Sequence, residues 1–414
     1  MEHIETMTKM MAGSLGLEEP WYIAGAEFNE EELALHIYVD IRKTAAIACP
    51  KCGAATSRNG YEPKDRIWRH GDCMFYPCLV HCRRPKIRCP KCGSQQVNAP
   101  FERKNSRFTL LFEGYAMLIL ADMPISKTAA LLRCDEKALV KILRYWVNKA
   151  VDAMDLREVA MLAIDETSFK RGHKYVTLVI DAAKRRVIDV ENGRDAETVK
   201  LFAAKLSAKG GDPDSIMAVT SDMSKTYLPA IEKNFPNAEN IIDKFHVKKV
   251  LIDALDEVRK AEQKAVTDKK ELFRGRRLFM IPEARMSIEQ VSKLAEMSKR
   301  YPQTGRAYRI VAGLDDFYSC QKPEDAEKAF QGLYSWMRRC RLKPMKAAAE
   351  TLMRHKHKIL AYFKNRITNA ICEGINSMIQ AAKRKARGFH TFEGYSSMIY
   401  LVAGKLELAV PNPF

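Results

Sequence analysis

The order of strand-like and helix-like segments in the middle of the chain limits its fold more than any other feature. Three apolar stretches follow one another with short polar breaks, which predicts a meander of three strands. Each of two further strand patterns is preceded by a helical pattern, so helix and strand alternate after the meander. The predicted strands are 159–165, 174–181, 186–191, 215–221 and 239–242, and the predicted helices are 195–208, 224–234 and 244–265.

This order of elements is that of the ribonuclease H-like fold, in which the first and fourth strands are parallel neighbours. Asp165 and Asp222 each end an apolar strand pattern, so we expect them side by side at the carboxyl ends of those strands. Glu373 lies near the start of a basic amphipathic helix predicted over 371–387. Three carboxylates so placed can hold two divalent metal ions about 3.5–4 Å apart, as phosphodiester cleavage and strand transfer require.

Each candidate carboxylate has to be weighed against an ordinary helix cap or solvated acid, and the matched set favours function. Glu166 follows Asp165, but alternate strand residues face opposite sides, and Asp165 continues the buried register. Glu350 and Glu393 compete with Glu373, but neither belongs to a polar helix face. The predicted face of Glu373 carries Asn376, Gln380, Arg384 and Arg387, and the opposite face carries Ile371, Ile375, Met378, Ile379 and Ala382. Arg384 and Arg387 are therefore candidate contacts to a phosphate backbone.

A histidine directly after the fifth strand has two equally supported interpretations. In the first, His246 contacts the scissile phosphate or supports the metal ligands. In the second, Asp243 caps a helix and His246 is an ordinary core residue.

Two identical C-P-K-C sequences predict a zinc ribbon in the first quarter of the chain. Cys49, Cys52, Cys89 and Cys92 offer four thiolates at a spacing that suits tetrahedral Zn²⁺ with a structural role. The alternative is unliganded buried cysteine, and a ribbon must here accept a hairpin between its two halves. The remaining cysteines of this segment, Cys73, Cys78 and Cys82, are interpreted as buried or free thiols, and His81 as a packed or exposed side chain.

The stretch 126–147 has the pattern of a helix-turn-helix, with a plain pair of helices as the alternative. Ser126 and Asp135 are the predicted caps of its two helices. The predicted contacts between the helices are Ala130, Leu131, Leu139, Ile142 and Leu143. The predicted DNA-contacting residues, on the outer face of the second helix, are Lys137, Lys141 and Arg144.

Composition is consistent with a nucleic-acid partner. The 414 residues carry 69 Lys and Arg against 51 Asp and Glu, a formal net charge of +18. Such an excess favours a polyanionic partner over a basic protein without one, because the cations lie beside the motifs above. We expect no membrane role, since no signal peptide or apolar span is visible. An intracellular chain with eleven cysteines predicts metal ligation rather than disulfides.

Taken in order, these motifs resemble the DDE transposases of bacterial insertion sequences, specifically the ISL3 family, over nearly the whole length. The resemblance rests on the C-P-K-C pair with Arg83-Arg84, the helix-turn-helix, and the sequences Ala163-Ile164-Asp165-Glu166, Thr220-Ser221-Asp222-Met223, Asp243-Lys244-Phe245-His246-Val247, Glu373-Gly374-Ile375-Asn376 and Lys383-Arg384-Lys385-Ala386-Arg387-Gly388-Phe389.

The resemblance implies a multidomain α/β protein: a zinc ribbon and helix-turn-helix before a ribonuclease H-like catalytic domain with an α-helical insertion. The corresponding boundaries are 1–104 (hairpin and ribbon), 105–150 (helix-turn-helix), 151–265 (first part of the core), 266–365 (insertion) and 366–414 (C-terminal part with the Glu-bearing helix). It places Asp165, Asp222 and Glu373 at the catalytic positions. It also implies Mg²⁺ (or Mn²⁺), two per site, and double-stranded DNA partners, namely the terminal inverted repeats and a target.

The expected activity is cleavage at the element ends and joining of the 3′-hydroxyl to target DNA, in the bacterial cytoplasm and by a homodimer on paired ends. Two other functions stay open on the sequence alone. One is a domesticated DNA-binding regulator with an inactive nuclease core, against which the intact acid triplet argues. The other is a structure-specific DNA nuclease that cleaves without joining.

Overall fold

A computed structural model describes residues 2–170, 172, 174–266, 269–365 and 370–410. The chain divides into two compact units. The first unit contains the chain up to Asp152 together with Arg384–Arg387 and the residues from Leu406 onward, and the second contains Ala153–Lys383 and Gly388–Lys405. Within the described ranges, every helix is too short or too polar to cross a membrane.

The N-terminal part of the first unit is rich in strands. Its elements are α1 (Glu2–Ser14), β1 (Trp21–Asn29), β2 (Ala34–Ile41), β3 (Ile47–Ala48), β4 (Ala55–Thr56), β5 (Arg58–Tyr61), β6 (Arg66–Cys73), β7 (Tyr76–Cys82), β8 (Pro85–Cys89) and β9 (Gly93–Gln96). The hairpin expected within 1–104 is observed as the antiparallel pair β1–β2, which spans 21–41. A hairpin also separates the two C-P-K-C sequences, and its strand β7 pairs in parallel with β2 to give the order β1-β2-β7-β6.

Three helices complete the first unit: α2 (Leu110–Asp122), α3 (Ile125–Leu132) and α4 (Glu136–Asp152). Asp135 caps α4 as predicted, because its Oδ1 accepts a hydrogen bond from the Ala138 amide at 2.8 Å. The prediction that Ser126 caps α3 is wrong, since the cap position is Pro124 and α3 begins at Ile125. Leu139, Ile142 and Leu143 of α4 are buried as expected.

The inward face of α3 also differs from the prediction. Ala130 and Leu131 are exposed, and the buried residues are Thr128, Ala129 and Leu132. Thr128, Ala129 and Leu132 share one face of α3 at the spacing i, i+1, i+4, and Ala130 and Leu131 lie outside that face.

The second unit is built around a five-stranded sheet. Its elements in chain order are β10 (Met161–Lys170), β11 (Lys174–Asp181), β12 (Arg186–Asn192), α5 (Ala196–Ala208), β13 (Ala218–Ser221), α6 (Tyr227–Asn234), β14 (Glu239–Ile242) and α7 (Lys244–Ala265). The strand order is β12-β11-β10-β13-β14. The first three strands form the predicted antiparallel meander, and β13 lies parallel to both β10 and β14. The expectation that the first and fourth strands are parallel neighbours is therefore confirmed.

The rest of the described chain in this unit is helical. It contains α8 (Lys269–Arg274), α9 (Ile288–Arg300), α10 (Pro302–Ser319), α11 (Pro323–Arg339), α12 (Lys343–Arg354), α13 (Lys356–Leu360), α14 (Tyr362–Asn365), α15 (Ala370–Lys385) and α16 (Phe392–Ala403). Helices α7 to α14 share one apolar core with Leu251, Phe317 and Phe330 among its buried members. The helix that carries Glu373 was expected over 371–387 and is observed as α15.

Candidate active site

Asp165 lies inside a strand rather than at its end. The prediction placed it at the carboxyl end, but β10 continues to Lys170 because its antiparallel pairing with β11 extends that far. The parallel pairing with β13 does stop close by, with Ala163 opposite Thr220. Asp222 follows the last residue of β13, so the two aspartates lie at corresponding positions of neighbouring parallel strands.

Helix α15 packs on the Asp165 side of β10. Its Cys372, Ile375 and Ile379 are buried, whereas Met378 is 47% exposed, so the prediction that Met378 belongs to the apolar face is wrong. The polar contacts from α15 reach β10 at three successive places. Asn376 Nδ2 donates to Asp165 Oδ2 at 2.6 Å, Gln380 Nε2 donates to Thr167 Oγ1 at 2.6 Å, and Lys383 Nζ donates to Ser168 Oγ at 3.0 Å.

Asp165 and Glu166 face different helices, as the alternation of a strand requires. Asp165 is hydrogen-bonded to α15, whereas Glu166 interacts with Tyr227 at the start of α6. Burial raises the pKa of Glu166, and Asp222 raises it further. The cluster of acids therefore continues around the end of β13 onto the second face of the sheet.

The environment of Asp165 disfavours the ionised form of its carboxyl group. Burial raises its pKa to about 6, and the nearby carboxylates Asp243 and Asp222 raise it, while the Glu166 amide and His246 lower it. A pKa raised by burial and by neighbouring acids is typical of functional sites, and a bound cation would stabilise the ionised carboxylate.

The structure brings the three predicted carboxylates into one region but not around a single point. Within the described part of the chain, the only set of three or more His, Cys, Asp or Glu ligand atoms lying within 4.8 Å of one another is the cysteine cluster below. Asp222 is half-buried and Glu373 is exposed, one helical turn before Asn376. Carboxylate oxygens are the ligands that Mg²⁺ prefers.

An unsatisfied oxygen beside Asp165 also fits a cation site. Asn376 Oδ1 is inaccessible to solvent and has no hydrogen-bond partner among the residues that the structure describes. An unpaired buried carbonyl oxygen is unusual, and an ion or its bound water would satisfy it. The sequence placed Asn376 on the face of Glu373 but did not predict its bond to Asp165.

Asp243 was missed as a member of this acid cluster. It follows β14 as Asp222 follows β13, and its amide donates to Ser221 O at 3.0 Å. Asp243 is only 3% exposed, and it caps α7, as the second interpretation supposed, by accepting from the Phe245 amide at 3.1 Å. His246 Nε2 lies 3.8 Å from Asp243 Oδ2. The signal was the repeated pattern of an aspartate directly after a strand.

The competing glutamates lie in other surroundings. Glu350 is on α12, where it forms an ion pair with Arg338. Glu393 is in the first turn of α16, where the helix dipole stabilises a negative charge.

The four cysteines of the first unit form a compact cluster. The Sγ atoms of Cys49, Cys52, Cys89 and Cys92 all lie within 4.8 Å of one another, and Cys52 and Cys89 are 3.6 Å apart. Tetrahedral Zn–S bonds of 2.3 Å correspond to sulfur separations of about 3.8 Å. Each C-P-K-C sequence is followed by a glycine with positive φ, +73° at Gly53 and +74° at Gly93. The two turns therefore have the same backbone shape.

Hydrogen bonds within the thiol cluster shift pKa values in opposite directions, and the bond with Cys52 helps to raise the pKa of Cys92 to about 12. Desolvation raises the pKa of Cys89, but hydrogen bonds from the backbone at Cys92 and Lys91 and from the Cys52 thiol bring it down to about 7. By contrast, burial raises the pKa of Cys78 and of Cys82 to about 12. The last two therefore behave as neutral core thiols, packed beside Trp68.

His81 lies outside the cysteine cluster. Its Nε2 is 2.8 Å from His36 Nδ1, and its Nδ1 is 3.3 Å from Asp65 Oδ2. These hydrogen bonds link β2, β7 and the segment before β6.

The predicted DNA-contacting residues differ in exposure. Lys137 and Lys141 on α4 are exposed, as are Arg384 and Arg387 near the end of α15. Arg144 is half-buried and its Nε is inaccessible to solvent, so it does not share the open face of Lys141 as expected. It lies on the side of α4 that also carries the buried residues Leu143 and Val147.

Comparison with known proteins identifies the class and then the family. The chain is 25% identical to the transposase for insertion sequence element IS1557 of Mycobacterium tuberculosis, over 92% of each protein. It is also 25% identical to the transposase for insertion sequence element IS1001 of Bordetella parapertussis, over 94% of this chain and 96% of that protein. Residues 162–399 match a family model described as transposase, and residues 97–147 match the helix-turn-helix domain of transposase family ISL3. The protein is thus an insertion-sequence transposase. It belongs to the ISL3 family.

Proposed function

We propose that this transposase cuts DNA at the ends of its insertion sequence and joins the freed 3′-hydroxyl to target DNA. The observation that carries the proposal is the acid cluster around Asp165. A buried carboxylate with a raised pKa lies beside Asp222 and Asp243 and is hydrogen-bonded by the Glu373-bearing helix. We further propose that the sheet order, an antiparallel meander followed by two parallel strands, is a ribonuclease H-like fold.

The proposed ligands are Asp165, Asp222 and Glu373, and the donor set fits two Mg²⁺ or Mn²⁺ ions because all its atoms are carboxylate oxygens. When bound, such ions activate the attacking oxygen and stabilise the leaving one. Asn376 holds the Asp165 carboxylate in one orientation through its 2.6 Å hydrogen bond. Gln380 and Lys383 fix α15 along β10, which keeps Glu373 on the same side of the sheet as Asp165.

The remaining predicted residues have supporting roles in this proposal. His246 contacts the scissile phosphate or supports the ligands through Asp243. Arg384 and Arg387 contact the DNA backbone, and Lys137 and Lys141 belong to the surface that reads the terminal repeats. Two DNA ends require two active sites, which favours a homodimer acting in the bacterial cytoplasm. The residue boundaries given above serve as the proposed domain limits, with 266–365 as the helical insertion.

The direct test is a joining assay with the wild-type protein. The substrates are the DNA segments that flank the gene on each side and a supercoiled target plasmid. We expect joined products that require Mg²⁺ or Mn²⁺ and disappear with EDTA. Nicked DNA without joining would replace the proposal with a nuclease, and DNA binding without cleavage would replace it with a regulator.

The cysteine cluster leads to a separate prediction, that one Zn²⁺ binds per chain. The four thiols converge, and Cys89 already has a lowered pKa. Because structural zinc supplies folding energy locally, Cys52→Ser should remove the metal and unfold the N-terminal ribbon but leave the catalytic unit folded. Metal analysis and limited proteolysis measure this. Cys134→Ser, outside the cluster, serves as the control. Protein prepared without chelator that contains no zinc would contradict the prediction.

A further inference from the structure

A cationic pocket in the first unit lies partly outside the helix-turn-helix. Its volume is about 530 Å³, within the roughly 300–1,000 Å³ of ligand-binding clefts. The pocket is formed by the start of β6, the segment before α2 and the first two turns of α4. The charged residues that line it are Arg66, Arg103, Arg107, Asp135, Lys137 and Lys141.

The cations of this pocket are only partly neutralised. Arg103 is held by the buried Glu113, and Arg66 by Glu62, with 2.9 Å from Arg66 Nη2 to Glu62 Oε1. Arg107 pairs with Asp135 across the pocket. Even with Glu62 and Glu113 counted, the five cations face three carboxylates. The net positive charge favours an anionic ligand.

The pair of Arg107 and Asp135 is open to exchange, and the guanidinium of Arg66 is accessible although its partner Glu62 is only 13% exposed. Arg107 and Asp135 are 68% and 48% exposed, and Arg66 is 49% exposed. Exposed pairs contribute little to stability, so a phosphate oxygen can replace Asp135 as the partner of Arg107 at small cost. Arg103 cannot exchange in this way, because its partner Glu113 has no solvent exposure.

The position of the pocket identifies the source of the phosphate. Lys137 and Lys141 belong to the helix that enters the major groove in a helix-turn-helix, and the DNA backbone borders that groove. We propose that the pocket binds a DNA backbone phosphate through Arg107 and Arg66, so that the DNA-binding surface extends from α4 to β6. This inference rests on the proposed DNA-binding function and adds a residue outside the helix-turn-helix to it.

The test measures binding of the full-length protein to a fluorescein-labelled mixed-sequence duplex of about 30 base pairs, over a range of salt concentrations. Arg107→Ala and Arg66→Ala should each weaken binding about fivefold and reduce the slope of log K against log salt by about one. Arg42→Ala is the matched control, since Arg42 is an exposed arginine paired with Glu19 outside the pocket. It should change neither quantity.

A gain-of-binding variant excludes misfolding as the explanation. Asp135→Asn removes the competing charge but keeps the cap of α4, because an amide oxygen can still accept from Ala138. DNA binding should become about threefold tighter. Inorganic phosphate at matched ionic strength should not compete, since a single phosphate lacks the other contacts.

The outcomes separate the two proposals. If Lys141→Ala weakens binding while the Arg107, Arg66 and Asp135 variants behave as wild type, the pocket inference is overturned and DNA binding by α4 stands. If the wild-type protein does not bind the duplex, the proposed function itself fails. Inorganic phosphate that binds the wild-type protein but not Arg107→Ala, together with unchanged DNA binding in the variants, would assign the pocket to a free anion instead.

Discussion

Glu373→Gln is expected to abolish strand transfer while leaving DNA binding nearly unchanged. The substitution removes one of the negative charges proposed to hold the metal ions and keeps the side-chain volume. Loss of an outer contact to a metal ligand typically costs 10–100-fold, so loss of a ligand should exceed about 100-fold. Asp165→Asn and Asp222→Asn should behave alike, and a double variant should be little worse than a single one, because the three act as a unit. The measurement is Mg²⁺-dependent joining.

Two further variants test whether the loss of activity is confined to the proposed metal ligands. Glu393→Gln should retain activity close to wild type, since Glu393 lies on α16 rather than on α15. Asn376→Ala should give an intermediate loss of about 10–100-fold, because it removes the hydrogen bond to Asp165 but none of the three carboxylates. Inactive Glu393→Gln together with active Glu373→Gln would mean that the third carboxylate has been assigned to the wrong helix.

The central sheet was predictable because its strands are local, apolar and well separated by helical patterns. The apolar segments before Asp165 and Asp222 predicted where the two strands lie. The order of helices and strands predicted that these strands are parallel neighbours. The hydrogen bond from Asn376 to Asp165 could not be predicted from the sequence. A helical face can be read from spacing, but the strand that this face contacts, 211 residues earlier, has no local signal.

The N-terminal sheet illustrates the same limit. The β1–β2 hairpin is local and was predicted, whereas the parallel pairing of β2 with β7 joins residues more than forty positions apart, with Leu35 opposite Cys78. Cys78 and Cys82 consequently belong to the apolar core of that sheet, although their spacing suggested nothing specific. The helix-turn-helix was predicted, but α3 begins at Ile125 rather than after Ser126, and it buries Thr128, Ala129 and Leu132 rather than Ala130 and Leu131.

A buried carboxylate is expected to control the stability of the helix-turn-helix. Glu113 on α2 has no solvent exposure, and its two oxygens accept hydrogen bonds from three side chains. Arg103 donates from Nε and Nη2 at 2.8 Å each, Ser106 from Oγ at 2.5 Å, and Trp146 on α4 from Nε1 at 2.7 Å. One carboxylate thus ties α2 to α4 and to the preceding segment.

Glu113→Leu should therefore reduce the free energy of unfolding of this region by about 3–5 kcal/mol, because it leaves the Arg103 guanidinium buried without its partner. Hydrogen exchange measured by mass spectrometry should show lost protection in α2 and α4. Glu136→Gln, at an exposed position of α4, is the control and should change protection little. If an uncompensated charge is the cause, Arg103→Met combined with Glu113→Leu should recover part of the loss, since replacing both partners by apolar groups is often nearly neutral. A double variant as unstable as the sum of its single variants would instead locate the stabilisation in the hydrogen bonds to Ser106 and Trp146.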